Sequence, residues 1–530
     1  MSEDSHNEML GKQPHLSRVE KDRLVALNRA RLDQDLLSQR LQFQSLPRGI
    51  DLQLSNICNM ACTMCYDGVS PPAKRLDLDV VERFAQEVLP TTVTITPFSG
   101  SEPMIVSWDL TKELAMRFDL ELDLITNAQF LDEARFRELE PHVSSLTFSI
   151  DSHMRDIYER IRLRSNPDKV FENFPRAARL CREHGIEPIA NVVFMVENAA
   201  YMQETVAFLA DQGCSTVRML AFHTPVDASR DRTFSDAVRH MSPEWVRWKL
   251  DQIHAVAKQK KVRVVFEGHT REIYDYRPSV LGFRKDRKFL HSASEELSLY
   301  YPGYCVLAVD RIKVSTEADV HPCCVAVGED LKLGNLKTQS FQEVWNGPNA
   351  QDLRRGMLTM DLPYLCKQCT HHTSNIAGEQ PTLPVVDWYH DSHCGGTVPR
   401  VAEANRTIAI EGPAHLTRKP EAPTFRWSAP TTPVDMFHLV VGIGGMSNPQ
   451  NRVFEIDGNA TSFSMPDADW AALPPNTGLW WCLYGLRRNA LAETARSPSV
   501  RCLIRHQPIP RVAGSNLYDR DALHAGKHGA

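Results

Sequence analysis

No run of about 18 apolar residues, the usual length of a membrane-spanning helix, occurs anywhere in the chain, so the sequence predicts no such span. The opening Met1-Ser2-Glu3-Asp4-Ser5-His6 lacks the charged-then-apolar order of a secretory signal. Excess positive charge is also missing. Lys and Arg number 60 against 66 Asp and Glu, a net charge of −6, which offers no field for nucleic acid or acidic lipid. There is no internal repeat. Three cysteines cluster between residues 50 and 75, but no fourth Cys or His stands with them, and a tetrahedral zinc site there would be one ligand short. The 13 cysteines are grouped and follow no secretory signal, which points to metal binding rather than disulfides and to the cytoplasm, where thiols stay reduced.

What is present is a 530-residue chain, 42% hydrophobic and 24% charged, long enough for two to four domains. Its organising stretch is Ser55-Asn56-Ile57-Cys58-Asn59-Met60-Ala61-Cys62-Thr63-Met64-Cys65. Cys58, Cys62 and Cys65, spaced C-x3-C-x2-C, follow the alternating run Ile50-Asp51-Leu52-Gln53-Leu54, which reads as a strand. Thiolates are the usual ligands of iron–sulfur clusters. Three of them grip one face of a four-iron cube and leave the fourth iron open to a small molecule.

This spacing is the signature of the radical S-adenosylmethionine (radical SAM) superfamily, which the sequence resembles. Phe98-Ser99-Gly100-Ser101-Glu102-Pro103 resembles the family's "GGEP" segment, which receives the SAM amino group. Ile125-Thr126-Asn127 and Phe148-Ser149-Ile150-Asp151-Ser152 resemble the polar ends of the third and fourth strands. Ser101 in place of the second glycine, and Met64 before the last cysteine, depart from the pattern. The resemblance implies a SAM-binding 4Fe–4S cluster on Cys58, Cys62 and Cys65, and a cofactor site formed by Gly100, Ser101, Glu102, Pro103 and Asn127. Ser149 and Asp151 would lie near the SAM ribose or carboxylate, with Asn191 and Leu220 as further candidates. Of Arg160, Arg162 and Arg164, Arg162 is preferred as the carboxylate partner, because a guanidinium fork fits a carboxylate bidentately. No individual catalytic residue is singled out.

Residues 1–48 read as a tail and an amphipathic helix, with Leu24, Leu27, Leu32, Leu36, Leu37 and Leu41 at helical spacing from about Leu16 to Gln44. Residues 49–266 alternate strand and helix, which implies parallel strands and right-handed crossovers. That pattern fits the α/β partial (β/α)6 TIM-like barrel of the resemblance. In barrels of this kind the chemistry lies at the C-terminal strand ends, where each of these motifs is predicted to fall.

Residues 267–400 read as a bridging region followed by a small α+β module carrying Cys305, Cys323-Cys324, Cys366 and Cys369 around a hairpin pattern over 312–324. This order resembles the SPASM/twitch extension and implies a second, auxiliary 4Fe–4S cluster on Cys305, Cys366, Cys369 and either Cys323 or Cys324. Four cysteines that include a C-x2-C half would also serve zinc. From 401 to 514 short alternating runs predict a β-sandwich, weakly similar to fibronectin type III domains through Trp427 and Trp480-Trp481-x-x-Tyr484. Residues 515–530 read as a loose tail.

The resemblance implies an enzyme that reductively cleaves SAM to a 5′-deoxyadenosyl radical. That radical abstracts hydrogen from a peptide or protein side chain for oxidation or cross-linking. The alternatives are a dehydrogenase or epimerase of a sugar or small alcohol, and a non-catalytic Fe–S scaffold. A low-potential flavodoxin or ferredoxin is implied as electron donor.

Overall fold

The structure is a computed structural model. It describes residues 15–65, 72–97, 100–105, 108–221, 242–267, 305–323, 326, 328–329, 331–367, 408–413, 418–431, 433–442, 451–487, 492–496 and 500–519. Two compact units divide the chain: Met1–Lys288 with Leu307–Ala350, and Phe289–Val306 with Gln351–Ala530.

In the first unit the strands are β1 (Gly49–Leu52), β2 (Thr94–Thr96), β3 (Glu121–Thr126), β4 (Val143–Ser149), β5 (Glu187–Phe194), β6 (Thr216–Ala221) and β7 (Arg263–Glu267). Each pairs in parallel with the next. Between them run α2 (Leu78–Val88), α3 (Trp108–Phe118), α4 (Glu133–Leu139), α5 (Arg155–Ile161), α6 (Pro167–Glu183), α7 (Met202–Asp211) and α8 (Pro243–Lys260), after α1 (Arg18–Leu37). The side chains of Ile50, Leu52, Ile95, Leu124, Leu146, Phe148, Ile189 and Val217 are fully buried, as expected of parallel strands covered by crossover helices. Asp77, Asp132, Asn166 and Ser242 cap α2, α4, α6 and α8 by accepting backbone N–H groups. The sheet is open: its ten strands run in one row, without its two edges meeting. This is the partial barrel the alternation predicts.

The structure adds a strand to that barrel. Ile312-Lys313-Val314 was expected in the auxiliary module's hairpin. The hairpin forms between β8 (Arg311–Val314) and β9 (Asp319–His321), with β10 (Gly334–Asn335) beyond it. But β8 also pairs in parallel with β1, from Gly49↔Arg311 to Leu52↔Val314, so the row is β10-β9-β8-β1 and then β2 through β7. Two buried ion pairs account for this. Arg48 grips Asp310 through Nε and Nη2, at 2.9 and 2.5 Å, and Arg311 grips Asp51 while donating to Thr96 Oγ1 at 2.8 Å. Residues 307–350 therefore fold with the barrel, and the expected domain boundary at 266/267 is not where the compact units divide.

Helix α1 is shorter than expected and packs on the barrel mainly through polar groups. Leu27 and Leu37 are 43% and 68% exposed. Lys21 Nζ donates to Leu89 O at 2.9 Å, and the Asp35 carboxylate accepts from Ser45 N and Oγ, both at 2.9 Å.

In the second unit, α10 (Pro348–Thr359) precedes a β-rich region. Strands Ile410–Gly412, Thr424–Trp427 and Ser462–Ser464 form a three-stranded sheet. Arg418–Lys419, Val500–Arg505, Gly478–Arg487, Met436–Gly442 and Arg452–Asp457 form a second sheet, which Ala492–Arg496 joins at Gly478–Arg487. Both sheets feed one core, with Phe425 edge-on to Trp481 and Trp427 edge-on to Phe437 at centroid distances of 4.9 and 5.4 Å. The expected loose tail begins as packed chain, since Leu517 and Tyr518 are buried. Among the described residues no helix is long and apolar enough to cross a membrane.

Candidate functional site

The cysteine loop leaves the C-terminal end of β1 and is stitched down on both sides. Ala61–Cys62 pairs with Arg162–Leu163 as a two-strand ribbon, in register Cys62↔Arg162, and Thr63 N donates to Ile161 O at 2.9 Å. The loop's own turns are closed by Cys65 N donating to Cys62 O at 3.0 Å and Met60 N approaching Cys58 Sγ at 3.5 Å. Cys58 is exposed, while Cys62 and Cys65 are half-buried.

Glu102 lies beside this loop, its backbone N donating to Ile57 O at 3.3 Å. Gly100 reaches it through a left-handed turn, φ 71°, which favours glycine. The Glu102 carboxylate is buried and accepts from Thr126 Oγ1 at 2.7 Å, Asn127 N at 2.8 Å and Met104 N at 3.4 Å. Burial pushes it up to about 7, against the pull of those hydrogen bonds and of Arg162. Ser101 and Pro103 flank it, half-buried and buried. Asn127 ties β3 to the cysteine loop through Nδ2 donating to Asn59 Oδ1 at 2.9 Å.

Of the three candidate arginines only Arg162 is buried; Arg160 and Arg164 are exposed. Its Nε donates to Asp151 Oδ2 at 2.6 Å, and its Nη1 stands 3.7 Å from Cys62 Sγ. Burial disfavours the cation, but Asp151, Cys62 and Tyr158 outweigh it and hold Arg162 above its ordinary range. Asp151 also accepts from Val193 N at 2.8 Å through Oδ1. Both its oxygens thus serve the protein, and its link to a ligand runs through Arg162. Ser149, half-buried, is paired in register with Asn191 across β4 and β5, and Leu220, near the end of β6, pairs with Val193.

These residues come together as the sequence predicts, at the C-terminal ends of β1 to β5. Sequence reasoning did not assign roles to Asn59, Thr126 or Tyr158. Thr126 was the legible one, since it immediately precedes Asn127. Asn59 and Tyr158 become significant only through contacts distant in sequence.

An iron–sulfur cluster with SAM fits this donor set. Asn191 Oδ1, Tyr158 Oη and Asn59 Nδ2 are buried without a hydrogen-bond partner, a costly condition that a polar ligand relieves. Among the described residues no three His, Cys, Asp or Glu side chains are grouped around a single metal ion. In a cube each thiolate takes a separate iron, so its ligands need not converge on one point. Of the auxiliary cysteines, Cys323 belongs to the first unit, and Cys305 and Cys366 to the second; all three are half-buried. Cys324, Cys369 and Ser99 lie outside the described residues.

The radical SAM superfamily model matches residues 52–209, and the SPASM model, an iron–sulfur cluster-binding domain, matches residues 305–370. No curated protein matches the chain. Among solved structures the chain is similar to Streptococcus suis SuiB bound to S-adenosylmethionine, at 16% identity and TM-score 0.44, covering 62% of this chain and 71% of that one. It is also similar to native anSMEcpe with bound AdoMet and the Cp18Cys peptide, at 18% identity and TM-score 0.42, covering 62% and 87%. A domain of pyruvate-formate lyase-activating enzyme from Bacteroides vulgatus ATCC 8482 matches at 13% identity and TM-score 0.25, covering 33% and 98%. The chain thus carries a radical SAM domain, which implies a 4Fe–4S cluster and SAM, and a SPASM domain, which implies further iron–sulfur.

Proposed function

We propose that this protein is a radical SAM enzyme that removes hydrogen from a peptide or protein side chain, leading to oxidation or a cross-link. The observation that carries the radical SAM reading is the seat of Glu102: a buried carboxylate held by three donors and tied through its own backbone to the cysteine loop. The SPASM match supports a peptide or protein as substrate. When bound, the cofactor pair supplies one-electron cleavage of SAM and a 5′-deoxyadenosyl radical.

The chain's own residues bind and orient. Cys58, Cys62 and Cys65 hold the cluster. Glu102, ionised, accepts hydrogen bonds from the SAM amino group, and Arg162, held in place by Asp151, faces the carboxylate. Ser149 and Asn191 meet the ribose. Cys305, Cys366, Cys369 and one of Cys323 or Cys324 hold an auxiliary 4Fe–4S cluster. A low-potential flavodoxin or ferredoxin supplies the electron in the cytoplasm. The residues from 408 onward form a β-sandwich of fibronectin type III-like build.

The test is anaerobic reconstitution followed by SAM and dithionite, with 5′-deoxyadenosine measured alone and with the peptides encoded beside the gene. A peptide that loses hydrogen in step with 5′-deoxyadenosine formation supports the reading. No 5′-deoxyadenosine, or turnover only with a sugar or alcohol, overturns it.

A further inference from the structure

We propose that the C-terminal segment around Tyr518 is a positioning element for the auxiliary iron–sulfur site, fixing the turn that delivers Cys366. The inference rests on the reading of Cys366 as a cluster ligand. Helix α10 ends at Thr359, and the chain turns through Met360 in the left-handed region, φ 57°. A non-glycine residue holds such a conformation only where its surroundings enforce it. Asp361, Leu362 and Pro363 follow directly, then the short helix Tyr364–Lys367 that carries Cys366.

Asp361 is gripped at both ends. Tyr518 Oη donates to its carbonyl oxygen at 2.5 Å, and Arg355 Nη2 donates to its carboxylate at 2.9 Å. The Tyr518 ring lies against two guanidinium groups, Arg511 at 4.1 Å and Arg355 at 5.4 Å from its centroid, a favourable use of an aromatic face. Val512 N donates to Asp352 Oδ1 at 3.3 Å, the same oxygen that accepts from Arg355 Nε at 2.5 Å. From the β-rich region, Arg418 Nη1 donates to Thr359 O at 2.8 Å. The C-terminal region therefore holds the end of α10 and the turn before Cys366 through separate contacts.

Gly356 is the independent sign that this contact is built in. Glycine is a poor residue for a helix interior, yet it sits well inside α10. A Cβ there would overlap Tyr518 Oη and stand 2.6 Å from Asp361 O. The missing side chain is what lets the tyrosine hydroxyl reach the turn.

Two substitutions test this in the full chain, reconstituted anaerobically. Tyr518→Phe removes only the hydroxyl, and Gly356→Ala displaces it from the other side while favouring the helix. The readouts are the EPR signal of the auxiliary cluster, the rate at which its iron is lost to a chelator, and the SAM-induced change in the radical-site signal. Groups behind metal ligands typically matter 10–100-fold to metal affinity. Both variants are therefore expected to lose auxiliary iron about tenfold faster and to shift its EPR signal, with the SAM-induced change retained. Wild-type protein that takes up no auxiliary cluster would overturn the ligand reading itself. Wild type with that cluster, and both variants indistinguishable from it, would overturn the positioning role alone. Joint loss of both cluster signals would also overturn it, because the claimed role is local.

Discussion

Replacing Glu102 by Gln tests the radical site most directly. The two carboxylate oxygens accept three protein hydrogen bonds, Thr126 Oγ1 and Met104 N on one and Asn127 N on the other. A glutamine keeps the shape but turns one acceptor into a donor. Its oxygen would stay on Asn127 N, because a backbone N–H cannot reverse its role. Its NH2 would then face Thr126, whose hydroxyl already accepts from Ala128 N at 3.0 Å. The fold survives this, since Thr126 only exchanges donation for acceptance. The SAM amino group, however, loses a charged acceptor, worth about 1.5–3 kcal/mol, or roughly 10- to 150-fold in Kd. Anaerobic calorimetry of the reconstituted protein at pH 8 reads that ratio.

The pH dependence supplies a second readout. In the cofactor-free chain the Glu102 carboxyl is raised from 4.5 to about 7 by burial, so the folded state binds its proton more tightly than the unfolded state does. Its stabilising contribution is complete below about 4.5 and is lost as pH rises to about 7, an effect of about 3 kcal/mol at 1.36 kcal/mol per pH unit. Glu102→Gln should lack that loss. For the same reason SAM affinity in the wild type should fall below pH 7, where binding must first expel the proton, and the Gln variant should not show that bend. A Kd for Glu102→Gln within twofold of wild type, with the bend retained, would reduce Gly100-Ser101-Glu102-Pro103 to an ordinary turn.

Three other outcomes follow from the structure. Joint substitution of Cys58, Cys62 and Cys65 by Ala should abolish SAM cleavage while leaving auxiliary iron in place, because the three ligands act as a unit; substantial 5′-deoxyadenosine under dithionite would refute the site. Anaerobic reconstitution should load close to two 4Fe–4S clusters per chain, and iron and sulfide for one cluster together with bound zinc would point to a zinc site at the auxiliary cysteines instead. Asp151→Asn leaves the buried Arg162 charge without its 2.6 Å partner. It should cost about 3 kcal/mol in urea unfolding, and a loss under 1 kcal/mol would show that the pair is not structural.

The sequence by itself determined what depends on neighbours along the chain. The cysteine spacing, the alternation of strand and helix from β1 to β7, and the short β runs after residue 420 are local patterns, and local patterns impose periodicity directly. The polar ends of β3 and β4 were legible for the same reason, since each follows the strand it terminates. The tertiary structure decided what depends on residues far apart. Arg48 and Asp310 are 262 positions apart, and their pairing, with that of Arg311 and Asp51, brings β8 onto the edge of β1, where the sequence showed only a hairpin. The choice of Arg162 over Arg160 and Arg164 likewise lay in the fold. The ribbon with Ala61–Cys62 buries that one guanidinium against Asp151 and Cys62, while its neighbours stay in water. Tyr518 read as the start of a loose tail, because nothing near it in sequence shows that Gly356 and Asp361 form its seat. Burial and charge pairing are properties of the packed chain, and they turned a list of candidate residues into a site.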